Sequence, residues 1–563
     1  MIKLKVVSSL EKPFHDMHVE QFPALERISL LKGERISFQI FFDNVCSSEN
    51  PWPFRTLLKP TVTGDAAKYV TLREVGNVPV EMPINPANYD DQYLRTTPGL
   101  YPDALNPLSY GGCVITKRNF LTALWVDVTL PADTELVGES KLCFDFTPEY
   151  KYDFAPGNCD PLHAEITLDV INAVLPEQTL ILTQWFHTDC LANHYSVPVW
   201  SERPWEIVEN FARVAVKNGI NLLLTPTFTP ALDTAIGGER LTTQLVGVSV
   251  DGGKYSFDFS LVDRWVEMCD RVGVKYFEIA HLFTQWGAKC APKVMATVDG
   301  EYKRIFGWDT PAVGGEYTVF IRQFLTEFIE HMKKNGNDKR CFYHISDEPQ
   351  LEHLDNYKAA RNSVADLLEG YTIMDALSNF DFYEQGLVDT PVPCNNHITP
   401  FIEHGVPNLW TYYCCGQCVK VSNRLIAMPA WRNRSIGMQM FKYDIVGFLQ
   451  WGYNFYSNCH SVNQIIPHWD TSGAFWVPAG DTYSVYPGMN GEALESTRIV
   501  VFHDALEDIS AMRLCAELYS KDEVIKVCED ILGEELTFDR CAYTAHEMLT
   551  IREKINMMIK AKV

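Results

Sequence analysis

Positive charge is scarce in this 563-residue chain: 48 Lys and Arg stand against 72 Asp and Glu, for a formal net charge of −24. Nucleic acids and anionic membranes are recognised through clustered Lys and Arg, so neither is an expected partner. Long hydrophobic runs are also missing, and no stretch approaches the roughly 20 apolar residues of a membrane span. The opening MIKLKVVSSLEKPFHDMHVE has no apolar segment of signal-peptide length and no small-residue cleavage pattern. Without an export signal, the 16 cysteines are read as reduced thiols, and the expected location is the cytoplasm.

Cofactor signatures are equally lacking. Neither H-E-x-x-H, a P-loop nor G-x-G-x-x-G occurs, which removes the commonest zincin and nucleotide readings. No G-x-S-x-G elbow occurs either. Cys414-Cys-Gly-Gln-Cys418 holds one C-x-x-C, but no second pair follows at zinc-ribbon spacing. The expectation is no catalytic metal and no cofactor. Tandem repeats and low-complexity tracts are absent too.

What is present is an ordinary globular composition, 46% hydrophobic and 21% charged, in a chain too long for one core. Residues 1–177 read as β: Arg35-Ile-Ser-Phe-Gln-Ile-Phe-Phe42 and Leu124-Trp-Val-Asp-Val-Thr-Leu130 alternate with period two, with turn residues between such runs. Many short strands of this kind predict a β-sandwich, with Ala164 to Val174 as its last strand. From about residue 178 the rhythm becomes strand, loop, helix, strand. Apolar runs at 180–186, 220–225, 275–282, 340–346, 372–376, 391–396, 408–413 and 445–451 alternate with helical periodicity, as in Trp205–Asn218, Leu261–Val272 and Glu316–Lys334. Eight such units predict a (β/α)8 TIM barrel over 178–499. Residues 231–258 read as a hairpin inserted in one loop, turning at Asp251-Gly-Gly. Residues 500–563 are amphipathic and helical, a tail expected to pack on the barrel's outside.

In such barrels the chemistry sits where strands end. Tyr343-His-Ile-Ser-Asp-Glu-Pro349 ends an apolar strand in two acids, and Pro349 stops the ladder before a helix near Leu351. Adjacent carboxylates repel, and partial burial raises one further, an arrangement that suits a general acid beside an anionic partner. The same two acids also suit a helix N-cap, so spacing alone leaves both readings open.

His344-Ile-Ser-Asp-Glu-Pro349 resembles the catalytic strand of glycoside hydrolase family 123, the β-N-acetylgalactosaminidases, and of its wider group of barrel proteins. Gly33-Glu-Arg-Ile-Ser-Phe-Gln39, Tyr101-Pro-Asp-Ala-Leu105 and Leu124 to Pro131 resemble motifs of that group's N-terminal sandwich. Leu409-Trp-Thr-Tyr-Tyr-Cys414 resembles one of its barrel strands. Gly480-Asp-Thr-Tyr-Ser-Val-Tyr-Pro-Gly488, Ser496-Thr-Arg498 and Asp504-Ala-Leu-Glu-Asp508 resemble its C-terminal signature. The resemblance implies a retaining, substrate-assisted mechanism through an oxazoline. Asp347 would orient the 2-acetamido group, and Glu348 would protonate the leaving oxygen and then deprotonate water.

Aromatic residues near predicted strand ends are candidates for a sugar platform: Trp185, Trp410, Tyr412, Trp451 and Tyr453, with Trp286 on a long loop after the third strand. Each also suits barrel core. His344 is a candidate hydrogen-bond donor to a sugar hydroxyl, or a brace of the barrel. The reading is an exo-acting β-N-acetylhexosaminidase that prefers GalNAc, with a β-linked GalNAc-containing oligosaccharide or glycoconjugate as its partner. Two alternatives stand: a two-carboxylate β-glycosidase in which Glu278 supplies the nucleophile, and a carbohydrate-binding protein on a decayed barrel.

Overall fold

Arg35 to Asn44 is buried along its whole length, because as a central strand it is covered on both faces. The computed structural model describes residues 2–45, 55–109, 111–149, 160–541 and 544–563. By internal contacts these residues form two compact units, one of 1–178, 418–443 and 494–563, the other of 179–417 and 444–493.

The first unit holds a sandwich of two five-stranded sheets. In one, β1 (Ile2–Ser8), β3 (Arg35–Asn44), β8 (Leu121–Thr129), β5 (Val70–Val80) and β6 (Gly99–Pro107) lie in that order, all antiparallel. In the other, β2 (Arg27–Lys32), β10 (Leu162–Val174), β9 (Gly138–Glu149), β4 (Arg55–Thr63) and β7 (Val114–Lys117) follow one another, with β2 and β10 parallel. The inward residues interdigitate: Phe38 meets Phe144 and Phe42 meets Phe146 edge-on, with ring centroids 5.9 and 4.9 Å apart.

The second unit holds the parallel barrel. Its strands are β11 (Ile181–Gln184), β12 (Leu222–Thr225), β15 (Tyr276–Ile279), β18 (Cys341–Tyr343), β19 (Thr372–Ala376), β20 (Thr390–Val392), β21 (Trp410–Tyr412) and β22 (Gly447–Gln450). They pair in sequence order, β22 pairs with both β11 and β21, and one parallel bridge from Cys394 to Tyr412 nearly closes the ring. The eight apolar runs of the sequence are these eight strands. Loops between them carry a hairpin, β13 (Gly247–Asp251) with β14 (Lys254–Asp258), that turns at Gly252 and Gly253. A second hairpin, β16 (Val294–Val298) with β17 (Glu301–Phe306), joins it in a four-stranded sheet that periodicity did not foretell.

The connecting helices are α1 (Thr188–His194), α2 (Glu202–Lys217), α3 (Ser260–Val272), α4 (Glu316–Lys334), α5 (Leu354–Asn362), the short α6 (Asp381–Glu384) and α7 (Thr399–Glu403), and α8 (Ala430–Lys442). The tail is α9 (Thr497–Leu518), α10 (Lys521–Leu532) and α11 (Ala545–Lys560). Ser496, Ser520 and Thr544 cap these three by accepting the backbone N–H of Ile499, Glu523 and Glu547. The tail packs on α8, the helix that joins β21 to β22, and on strands β2, β6 and β10 of the sandwich. α8 and α9 touch backbone to backbone at Gly437, where a Cβ would lie 2.4 Å from the Ala505 carbonyl oxygen. No helix among the described residues is long and apolar enough to cross a membrane.

Candidate active site

The chain leaves β18 at Tyr343 yet stays stitched to both neighbours. The N–H groups of Leu282, Phe283 and Trp286 donate to the carbonyls of His344, Ile345 and Asp347 at 3.0, 3.1 and 2.9 Å. On the other side Glu348 N–H donates to the Ala376 carbonyl at 3.0 Å. Asp347 and Glu348 are thus held by backbone at the C-terminal end of the barrel strands. Glu348 has φ +41°, a left-handed conformation that costs a non-glycine residue on the order of 1–3 kcal/mol and concentrates at functional sites.

The two acids differ in surroundings. Asp347 is 8% exposed, and its Oδ1 has no hydrogen-bond partner among the described residues. Burial, then the charges of Glu348 and Asp233, push its carboxyl well above the ordinary range. Glu348 is half-buried and accepts a hydrogen bond from the Tyr412 hydroxyl at 2.6 Å. A pocket of about 270 Å³ opens beside it, lined by Gln350, Ser378, Asn379, His397 and Tyr412 among others.

Beneath the pair lies a buried polar layer. His344 is fully buried; its Nε2 lies 2.7 Å from Glu278 Oε1 and its Nδ1 3.2 Å from Asp375 Oδ1. Burial would lower its pKa, but the bonds to Asp375 and Glu278 prevail and raise it to about 9, so the imidazolium sits between two carboxylates. Asp375 also accepts from the Tyr357 hydroxyl and from Ile345 N–H, the latter at 3.1 Å. Glu278 accepts in addition from the Thr183 hydroxyl and from Trp185 Nε1, the latter at 2.7 Å. With no exposure and three donors, Glu278 faces no sugar; the nucleophile role proposed for it from sequence has no geometric support. His281 stacks on His344 with centroids 4.2 Å apart, and burial followed by the His344 charge drives it well below the ordinary histidine range.

The rim brings in groups that carry no motif. Asp233, in the loop before the inserted hairpin, has φ +43° and is held by its N–H to Gln285 Oε1 at 2.5 Å. Burial raises it to about 7, with Arg240 opposing and Glu348 and Asp481 adding to the rise. Arg240 grips Asp189 through Nε and Nη2 at 2.8 and 2.7 Å and donates to His187 Nδ1 at 3.1 Å. His187 is held down to about 3, chiefly by burial and then by Arg240. It is therefore neutral and donates through Nε2 to the Trp451 carbonyl at 2.9 Å. Trp451 in turn donates from Nε1 to Asp481 at 2.9 Å.

The aromatic candidates divide. Tyr412 reaches Glu348, while Trp451 and Trp286 stand among the loops, Trp286 edge-on to His460 at 5.4 Å. Trp185, 2% exposed, lies edge-on to His281 and donates to Glu278, so it braces the buried layer instead of offering a face. Trp410 is barrel wall: it packs on Phe342, and a Cβ at Gly447 would lie 2.0 Å from its ring. Tyr453 is core, stacked on Phe186 and donating to the Phe211 carbonyl at 2.8 Å. His344, a candidate sugar donor from sequence, has both ring nitrogens occupied by buried acids.

Residues 185–515 match the family model described as "Glycoside hydrolase 123, catalytic domain". No curated protein matches the chain in sequence. Among solved structures, a family 123 glycoside hydrolase from Clostridium perfringens, described for glycolipid glycan hydrolysis, aligns over 100% of this chain and 98% of its own at 14% identity with a TM-score of 0.71. An endo-β-1,4-mannanase from Thermotoga petrophila (10% identity, 60% of this chain and 77% of that one, TM-score 0.32) and a family 5 mannosidase from Rhizomucor miehei (12%, 59% and 94%, TM-score 0.29) align far less well.

Proposed function

The chain belongs to glycoside hydrolase family 123, and on that premise we propose that it is a retaining exo-β-N-acetylgalactosaminidase working through an oxazoline. One observation carries the mechanism: a buried carboxyl with an open oxygen, Asp347, adjoins a half-buried acid, Glu348, that faces a polar pocket. The acetamido carbonyl oxygen attacks the anomeric carbon of its own sugar while Glu348 protonates the departing oxygen. Asp347 accepts the acetamido N–H, and the positive charge forming on the acetamido group favours the anionic form that burial otherwise disfavours. Glu348 then removes a proton from water as the oxazoline opens, giving retained configuration. Placing the acids side by side fits this division, since acetamido group and leaving oxygen sit on neighbouring carbons.

The same observation weighs against a protein nucleophile, because Glu278 is sealed below the site. The Clostridium perfringens relative, described for glycolipid glycans, supports a glycoconjugate substrate. Paired aryl glycosides test the proposal. The aryl β-N-acetylgalactosaminide is cleaved, the matching β-galactoside is not, and a thiazoline mimic of the oxazoline inhibits competitively. Comparable turnover of both glycosides refutes the assisted mechanism. Cleavage of the gluco epimer alone reassigns the sugar.

A further inference from the structure

Away from the barrel site, the first unit contains a cavity of about 740 Å³ between the start of β3, α9 and α11. It is lined by an unusual density of buried charge. Asp504 and Glu507 of α9 line it, and His503 adjoins them on the same helix; one donor atom from each of the three lies within 4.8 Å of the others. Positions i, i+1 and i+4 converge because a helix brings the first and last onto one face, with the second only 100° away.

The charges do not balance. Around this point stand the carboxyls of Glu34, Glu495, Asp504, Glu507 and Asp508, and the guanidinium groups of Arg35, Arg434 and Arg552. Arg434 is spent on a bidentate contact with Asp508 at 2.7 and 2.8 Å. Arg552 lies between Asp508 and Glu34 at 3.0 and 2.9 Å. Arg35 Nη1 stands 3.7 Å from Glu495, whose other oxygen pairs with Arg73, and Arg73 is shared with Asp127. Five acids thus stand against three guanidiniums around this point. Asp504 is 4% exposed, its Oδ1 has no partner among the described residues, and its nearest cation, Arg434, is 3.9 Å away.

We propose that His503, Asp504 and Glu507 bind one divalent transition-metal ion, Zn²⁺ in the first instance, as a structural site on α9 beside the start of β3. One imidazole and two carboxylates form a donor set for zinc, whereas Ca²⁺ and Mg²⁺ take oxygen alone. A double positive charge suits this excess of acids over guanidiniums, and the cavity has room for water to complete the coordination. Arg35 N–H, which donates to Glu507 Oε1 at 2.8 Å, fixes that ligand from outside the coordination shell. His281, His344 and Asp375 also bring one donor atom each within 4.8 Å of the others, but both nitrogens of His344 are already engaged. The proposal uses the first unit alone and does not depend on the catalytic reading.

The full-length protein, stripped with chelator and dialysed, is titrated with Zn²⁺ by calorimetry, and with Co²⁺ by absorption as a probe of ligand type. One equivalent binds, the Co²⁺ spectrum lacks thiolate charge-transfer bands, and the melting temperature rises with Zn²⁺ concentration. Asp504→Asn and His503→Gln each weaken binding by at least the roughly ten-fold that loss of even an outer-shell partner brings. Metal-free Asp504→Asn melts no lower than the metal-free parent, since it replaces a buried acid whose Oδ1 has no partner among the described residues, and it loses the Zn²⁺-dependent rise. His503→Gln alters a partly exposed side chain and provides a second folded variant. No binding, thiolate bands in the Co²⁺ spectrum, or affinity unchanged in both variants overturns the proposal.

Discussion

The Tyr412 hydroxyl donates to Glu348 Oε1 at 2.6 Å, joining a side chain of β21 to the acid that follows β18. The bond fixes the direction in which Glu348 presents its second oxygen. A hydrogen bond to a charged group is worth about 1.5–3 kcal/mol, so Tyr412→Phe is expected to lower kcat roughly ten- to hundredfold while KM changes little. Steady-state kinetics on the aryl β-N-acetylgalactosaminide measure both. An unchanged kcat assigns Tyr412 to the barrel wall.

The two acids separate by leaving group. Glu348→Gln removes proton donation, worth about 10²–10⁴-fold, but a nitrophenolate departs without much help. This variant therefore keeps far more activity on nitrophenyl glycosides than on a disaccharide, and azide rescues it as a β-azide of retained configuration. Asp347→Asn loses charge stabilisation of about 3–4 kcal/mol on every substrate, and azide does not repair it. Equal losses in both variants on all substrates refute this division of labour.

Asp347 also limits stability. Its carboxyl is raised in the folded state, chiefly by burial, so the native state keeps a proton that the unfolded chain loses. Stability contributed by that proton is present at low pH and falls as pH rises above the ordinary carboxylate range. Asp347→Asn is expected to melt higher than the parent at pH 7, by about 1–2 kcal/mol, while losing turnover. Thermal unfolding at several pH values checks it, and a lower melting temperature contradicts it.

The imidazolium of His344 has the usual sign for a histidine between acids. Its raised value of about 9 means that its stabilisation is complete below about 6.5 and disappears as pH rises through 9. Denaturant unfolding should show a decline across that window, on the order of 3 kcal/mol. His344→Gln should remove the slope and lower stability at neutral pH. A slope that survives this substitution belongs to another group.

Glu278→Gln leaves the His344 charge with one acid instead of two, and breaking a buried pair costs about 3–5 kcal/mol. The expected phenotype is a lower unfolding midpoint with residual activity of retained stereochemistry. Recovery of a glycosyl azide of inverted configuration from this variant would instead identify Glu278 as a nucleophile.

Local pattern carried a great deal. Period-two runs such as Arg35–Phe42 gave strands, and helix limits such as Glu316–Lys334 matched because their apolar spacing ends at definite stops. The strand-end pair Asp347-Glu348 was legible because a TIM barrel puts strand ends at one face. The second inserted hairpin was not, since Glu301 to Ile305 carry little apolar signal and gain their partners from a sheet assembled across two loops.

Amino-acid order by itself determined the strand and helix periods, the sandwich-then-barrel succession and the position of the acid pair. Each follows from spacing within a few residues. Which side chains meet was decided only by tertiary structure. Asp103 and Arg498 lie 395 positions apart and form a buried ion pair at 2.9 Å, joining two motifs that the sequence showed separately. Trp410 and Tyr412 are two residues apart on one strand, yet the first fills the barrel wall and the second reaches Glu348. Glu278 of β15, Asp375 of β19 and His344, just past β18, came into one sealed layer, and Asp233 joined the rim from a loop with no motif. Periodicity determines the face a residue turns to. Burial, charge and hydrogen-bond partners belong to the neighbours that face finds, and those come from distant parts of the chain.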